Sequence, residues 1–405
     1  MSEARRYDVV IIGAGIAGSS LAAALSGCGL SIALVEAQSV DGSELPQERD
    51  AHSFDPRVSA LTPKSQAFLQ QLDAWQQIID YRACPYGHMT VWDAEGTGRI
   101  DFDCTEVDRS VLGHIVENRA IVKSLMSAVS AASDVTLHCP AALADCDFAL
   151  DGRLHLVLED GGLLEARLMV AADGALSRVR NMLDFATREW DYGHRAIACT
   201  IQVERAHEHT AWQRFLATGP LALLPLPGTH EAHFCSIVWS ATNDLADSLM
   251  ALSDDAFCDA LEDASERCLG RVLKASKRSC FPLRQRHAID YVQPGVALVG
   301  DAAHTIHPLA GQGINLGLRD VAVLAEEIER ALGRGENVGD LEVLQRFQRR
   351  RKGDNLLMMT AMDGFKRLFE QRAPAIRWLR NAGMSHLDRL LPVKQQLIKH
   401  AMGVD

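Results

Sequence analysis
Paired cysteine chemistry is absent from this 405-residue chain. Its ten cysteines include no CxxC pair and no Cys/His ligand spacing. That excludes a disulfide framework and a structural zinc site, and points to buried thiols in a reducing cytoplasm. Long apolar runs are also missing. With no stretch of about 18 or more uncharged apolar residues, no transmembrane helix is expected. Residues 1–8 are short, polar and charged and lead straight into an apolar run, which does not fit a signal peptide. Positive charge is in deficit: 41 Lys and Arg against 53 Asp and Glu leave a net −12, which disfavours a nucleic-acid binder. What is present is 47% hydrophobic residues, enough for a packed core in one large or two medium domains.

Residues 7–12 form a short, β-branched apolar run, read as a buried strand. Gly13, Gly15 and Gly18 follow in GxGxxG spacing, then a helix over 19–27, a second buried strand over 30–35, and Glu36. In such a crossover Gly13 permits the tight turn. Gly15 leaves room for a diphosphate, and Gly18 lets helix and strand pack closely. The helix N-terminus attracts phosphate through free N–H groups and its dipole. Glu36 suits an unphosphorylated adenosine ribose. A second element, Asp173-Gly174, follows a predicted strand over 168–172, with Ser177 and Arg180 at helical spacing. Taken alone it reads equally well as a helix N-cap.

The third element is the most specific. A strand over 296–299 delivers Gly300 and Asp301, and Gly311, Gly313 and Asn315 open a long helix to about 332. Asp301 can bind a ribityl hydroxyl. The helix start can stabilise the negative N1–C2=O edge of reduced flavin without a cationic side chain. His304 and His307 have HxxH spacing, but no third ligand is evident. No metal is expected, and His304 is given a structural or flavin-side role. Three such elements in one chain point to FAD rather than NAD.

Helical spacing is read at 65–81, 118–132 and 254–277, with paired strands at 88–93 and 99–103. Segment 40–54 is read as a surface loop, and Asp151-Gly152 and 160–162 as hairpin turns. Extended segments at 196–204, 220–226 and 233–240 predict an antiparallel sheet in a second domain. Residues 340–405 read as helical, interrupted at Pro374 and Pro392. The predicted class is α/β. A Rossmann-like FAD domain is discontinuous over 1–80, 105–185 and 278–340. A substrate domain covers 81–104 and 186–277, and a helical region 341–405.

The order of the three motifs resembles the single-component flavin-dependent aromatic hydroxylases related to p-hydroxybenzoate hydroxylase. The runs DPRVSAL at 55–61, GHIVEN at 113–118, WDY at 190–192, CSIVWS at 235–240 and GDAAHTIHPLAGQG at 300–313 resemble the ubiquinone-biosynthesis hydroxylases. The likeness is greatest to the branch that hydroxylates 2-polyprenylphenols at ring C5, numbered 6 in another nomenclature. It spans nearly the whole chain, including its AMG ending at 401–403.

The resemblance implies an FAD- and NAD(P)H-dependent monooxygenase working through a flavin C4a-hydroperoxide on a polyprenylated phenol, with O2 as co-substrate. It implies that Arg57 and Asp301 contact FAD and that Asp173 is linked to FAD and nicotinamide binding. His114 falls where better-known members carry a glutamine at the cofactor. Pro308 and Leu309 are placed at the isoalloxazine face, forming the reaction-side set with His304. Water must be kept from the site, and Leu223, Pro225 and Trp239 are read as pocket walls, with ordinary sheet core as the bland alternative. No catalytic base is assigned.

Eight Lys and Arg against three acids leave residues 365–405 at +5. With an apolar face from Phe365, Leu368, Phe369, Ile376, Trp378, Leu379, Leu387, Leu390 and Leu391, this tail suits either an anionic membrane surface or the protein's own body. Expected partners are the phenol, other ubiquinone-biosynthesis proteins, the inner face of the cytoplasmic membrane and a second copy of the chain. Two other readings are a flavin-linked isoprenoid reductase and a non-catalytic accessory subunit. A plain NAD dehydrogenase leaves residues 300–315 without a role.

Overall fold
The computed structural model describes residues 4–39, 44–148, 152–305, 313–371 and 373–403. His307, Pro308, Leu309 and Gly311 lie outside the described residues, as does Asp151.

A parallel sheet is centred on Arg5–Ile12, with Ile32–Val35 and then Val135–His138 on one side, and Leu163–Ala171 and then Val296–Leu298 on the other. The central strands are apolar on both faces because helices cover them, and Val9, Val10 and Ile11 are fully buried. Ile12 lies beside Val35 and Ala171, and Ala171 beside Leu298. The C-terminal ends of four strands therefore finish level. Ligands bind at this edge of open α/β sheets. Helices Ile16–Leu25 and Gly313–Gly333 pack against each other above it.

A second, nine-stranded sheet runs in the order His304–Thr305, Ser279–Ala288, Thr187–Val203, His233–Thr242, Gly219–Leu226, Thr210–Leu216, His88–Asp93 and Arg99–Asp103, with Val272–Ala275 also paired to Thr187–Val203. The expected extended segments at 196–204, 220–226 and 233–240 are adjacent antiparallel strands within it. Helices Asn243–Ala251 and Asp254–Ala264 cover one face. The other face meets a small sheet of Val58–Leu61, Gly113–Glu117 and Ala83–Tyr86.

Two helix expectations are corrected. The segment 254–277 is helical only over Asp254–Ala264 and then forms the strand Val272–Ala275. Glu266 and Arg267 take left-handed φ values of 53° and 52°, and the Glu262 carboxylate accepts the Val272 N–H at 2.9 Å. The segment 65–81 is two helices, Pro63–Gln71 and Trp75–Arg82, broken where Asp73 sits at φ 55°. Pro374 and Pro392 lie in the first turns of Pro374–Arg389 and Leu391–Met402, where a missing N–H costs nothing.

Candidate functional site
Each glycine of the first turn meets a different physical demand. Gly13 has φ 100°, and a Cβ there would lie 2.6 Å from the Ala172 carbonyl oxygen. A Cβ on Gly18 would lie 1.8 Å from the Gly13 oxygen, so helix and turn close only without a side chain. Gly15, the N-cap of Ile16–Leu25, has nothing within 4 Å of an added Cβ. The helix end is thus open at the one position where a diphosphate needs space. Glu36 ends the neighbouring strand and accepts the N–H groups of Ala14 at 2.7 Å and Gln38 at 2.9 Å.

Asp173 caps the short helix Arg178–Met182. Its Oδ2 accepts the Arg178 N–H at 2.7 Å and the Val179 N–H at 3.2 Å. Its Oδ1 is buried with no hydrogen-bond partner among the described residues. Arg180, which is buried, donates to the carbonyls of Ala175 at 2.9 Å and Ala302 at 2.8 Å. It thereby ties the Asp173 turn to the turn after Val299.

That second turn comes to the first. Gly300, at φ 59°, would place a Cβ 3.3 Å from the Ala17 side chain, and a Cβ added at Gly317 would lie 3.3 Å from the Gly300 Cα. Asp301 is open to solvent although protein atoms surround it closely, as a carboxylate in a recessed cleft would be. Burial pushes its carboxyl above the usual range, and the nearby charges of His304 and Arg57 partly oppose this. Arg57 is itself exposed and is held by backbone: its N–H donates to Asp55 Oδ1 at 2.9 Å and its carbonyl accepts the Asn118 N–H at 3.0 Å. Beneath it, the buried Glu117 carboxylate pairs with Arg82 at 3.0 Å and Arg119 at 2.6 Å and accepts the Asp55 N–H at 2.6 Å. His114 packs edge-on against Trp75, with centroids 5.1 Å apart. Burial lowers its pKa, and its Nδ1 has no partner among the described residues.

Two of the predicted residues are committed to protein. Asn315 Oδ1 accepts the Thr62 N–H at 3.0 Å and the Ser65 hydroxyl at 2.7 Å, and its Nδ2 donates to the Ala60 carbonyl at 2.8 Å. It therefore fastens the start of Gly313–Gly333 to the strand after Arg57. His304 is buried with its Nε2 2.5 Å from Asp320 Oδ2. Asp320 was missed by the sequence reading, as were Arg351, Asn355 and Tyr291 beside it. The available signal was an acid on the apolar face of a helix: Asp320 is flanked there by the buried Leu316, Val321 and Leu324.

Two of the expected pocket walls are corrected. Leu223 and Trp239 belong to the core beneath the helices Asn243–Ala251 and Asp254–Ala264, with Leu249, Phe257 and Leu261. Their neighbours Ala222, Leu224 and Leu226 point to the opposite face, toward Phe54, Ala60 and Ile115. A strand reverses its side chains at every residue, so identifying the strand does not identify the face. Pro225 is buried and lies opposite Cys235, a member of the same core as Leu223. On the face of Leu224, the row Thr200, Ser236, Leu224 crosses three strands. The hydroxyls of Thr200 and Ser236 are buried there with no partner among the described residues.

An open helix N-terminus at Gly15, an unpartnered Asp173 Oδ1 and an accessible Asp301 across a level strand edge fit one extended dinucleotide with a polar chain at its far end. Comparison with known proteins agrees. The family described as "FAD binding domain" matches residues 6–352. The 3-demethoxyubiquinol 3-hydroxylase of Escherichia coli (strain K12) is 35% identical over 400 residues, covering 98% of both chains. Ubiquinone hydroxylase UbiL of Rhodospirillum rubrum is 35% identical over 408 residues, covering 98% of this chain and 89% of that one. The crystal structure of p-nitrophenol 4-monooxygenase PnpA from Pseudomonas putida DLL-E4 superposes with a TM-score of 0.77 at 19% identity, covering 99% of each chain, and shares the fold. The chain belongs to the FAD-binding flavin monooxygenases, in the family of the ubiquinone-biosynthesis hydroxylases.

Proposed function
We propose that this enzyme hydroxylates the aromatic ring of a polyprenylated phenol, using NAD(P)H and O2. The observation that carries the reading is the meeting of the two turns at Ala17 and Gly300, which lets one molecule of FAD span both. Gly15 and the start of Ile16–Leu25 hold the diphosphate, Glu36 faces the adenosine ribose, and Asp301 takes a ribityl hydroxyl beside Arg57. FAD, when bound, supplies the oxygen activation that ring hydroxylation needs. The chain's own tasks are placement and exclusion of water. The sheet face with Ala222, Leu224 and Val238 supplies apolar wall, and the Thr200 and Ser236 hydroxyls orient the oxygen substituents of the ring. Pro308 and Leu309 are kept as the residues assigned to the flavin ring by the resemblance. Two relatives of equal identity carry different names, so the ring position is left to product analysis. Turnover of a polyprenylphenol under oxygen-18 tests the reading. A product carrying one labelled hydroxyl supports it, and NAD(P)H oxidation yielding a reduced prenyl chain instead would favour the reductase reading.

Contact with a membrane surface is part of this proposal. No described helix is long and apolar enough to cross a membrane. The tail divides between the two expected roles. Phe369 stacks on Phe215 with centroids 3.8 Å apart, Arg380 pairs with Asp93, and Lys394 pairs with Glu106 and Asp388. That part docks on the protein's own body. Trp378, Leu379 and Leu357 stay 72%, 65% and 62% exposed, with Leu390, Leu391, Val393 and Leu397 also open. Such a surface with basic neighbours suits an anionic lipid interface, where a prenylated substrate resides. Pelleting with anionic vesicles should fall on Trp378→Ser with Leu379→Ser, and unchanged pelleting would remove the membrane contact.

A further inference from the structure
Behind the second turn lies a buried polar cluster that no step of the proposed reaction uses. Asp320, from the helix Gly313–Gly333, accepts the Gly300 N–H at 3.1 Å and faces His304 Nε2 through the same oxygen. Its other oxygen accepts Arg351 Nε at 2.9 Å and Asn355 Nδ2 at 3.1 Å. Arg351 also donates to Asn355 Oδ1 at 2.6 Å. The Tyr291 hydroxyl joins Asn355, at 3.4 Å, to His287, at 2.9 Å, and His287 lies opposite His304 across two strands. All six side chains are buried. Burial alone would raise the Asp320 carboxyl, but His304 and Arg351 outweigh it and hold it below the usual range.

Buried ionic groups are expensive to desolvate, and apolar replacements of the same shape are often neutral or better for stability. A gain in position is the reason such a cluster would be kept. Its position is specific. The carboxylate holds the backbone of Gly300, one residue before Asp301, and Arg351 and Asn355 come from the helix Leu341–Glu370, beyond the cofactor-binding strands. We propose that Asp320, His304 and Arg351 form a positioning cluster that fixes the Gly300–Asp301 turn toward the flavin, making the helix Leu341–Glu370 part of the cofactor's grip. The proposal rests on the assignment of Asp301 to the ribityl chain.

The same helix pair supplies its own control. Seven residues along from Asp320, the buried Glu327 pairs with Arg330, Arg346 and Arg350. That cluster joins the same two helices and, among the described residues, makes no hydrogen bond to Gly300. The experiment measures FAD affinity of the apoprotein by flavin fluorescence, apoprotein Tm, and the visible flavin band and midpoint potential of the holoprotein. Asp320→Asn and Arg351→Met should lower FAD affinity roughly tenfold or more and shift band and potential, with Arg351→Lys recovering part. Glu327→Gln should lower Tm while leaving FAD affinity, band and potential in place. Equal loss of affinity in Glu327→Gln, or full affinity in the Asp320 and Arg351 variants, would overturn the cluster's role. If Asp320→Asn does not fold, Arg351→Met and His304→Asn carry the same comparison against Glu327→Gln. Wild-type affinity in Asp301→Ala would instead overturn the ribityl assignment.

Discussion

The turn after Ile12 and the turn after Val299 lie side by side at the same sheet edge and are built on opposite principles. The first is shaped by missing side chains: Gly13 and Gly18 allow contacts that any Cβ would break, and Gly15 leaves an opening. The second is shaped by a buried carboxylate that reaches back from a helix and holds Gly300 by its N–H. Steric absence fixes a turn within one crossover, where the nearest carboxylate, Glu36, accepts the Ala14 N–H at 2.7 Å. Ionic anchoring makes a turn depend on segments far along the chain, here as far as Arg351.

The sharpest way to break this contrast lies within the first turn. Gly18→Ala should cost more than about 4 kcal/mol and abolish the folded holoprotein, because its Cβ has only 1.8 Å to the Gly13 oxygen. Gly15→Ala should fold with nearly unchanged Tm yet bind FAD roughly tenfold or more weakly. Thermal melts with flavin titration check both, and a large Tm loss in Gly15→Ala would mean that its space is not open.

A residue in neither turn sets the scale. Leu223→Ala should destabilise by about 2–5 kcal/mol in urea unfolding, as buried leucines do, since it fills the core beneath the helices. Leu224→Ala, on the other face, should add its larger effect on the fraction of NAD(P)H diverted to hydrogen peroxide. Equal uncoupling in Leu223→Ala would reverse the assignment of faces.

Acid separates the turns next. Burial, with His304 adding to it, pushes the His287 pKa down to about 4 from 6.5. As pH falls below 6.5 the unfolded chain takes up a proton that the folded chain refuses until about 4. Stability is therefore lost over that window, by at most ~3 kcal/mol from this group. His287→Gln should flatten the fall in Tm between pH 6.5 and 4.5. The same slope in variant and wild type would show that the histidine does not titrate as its burial requires.

The smallest expected effect is at Asp301. Asp301→Ala should weaken FAD binding by about 1–3 kcal/mol, the cost of leaving a buried hydroxyl unpaired. Flavin content after gel filtration reads it out.

The same contrast explains what could be read from sequence. Gly13, Gly15, Gly18 and Glu36 follow a fixed spacing because all their constraints fall within one crossover. The strands of the second sheet were legible from their apolar runs, but not the face of Leu223 or Trp239. Period-2 alternation disappears when both faces are buried. The helix break at Asp73 depends on a left-handed residue that carries no glycine signal, and the turn into Val272–Ala275 combines left-handed Glu266 and Arg267 with Gly270 at φ 76°. Arg351 sits in a run of four cations, Arg349 to Lys352, and only tertiary packing singles it out. His304 was legible as a residue of interest; Asp320 showed only as an acid on an apolar helix face, and its pairing with His304 emerges once the helix after Gly313 is laid against the turn.

The most direct test of the central claim is a crystal structure of the holoprotein. One FAD should lie with its diphosphate over Gly15 at the start of Ile16–Leu25 and its ribityl chain within hydrogen-bond distance of Asp301. Electron density that placed the flavin away from either turn would contradict the account.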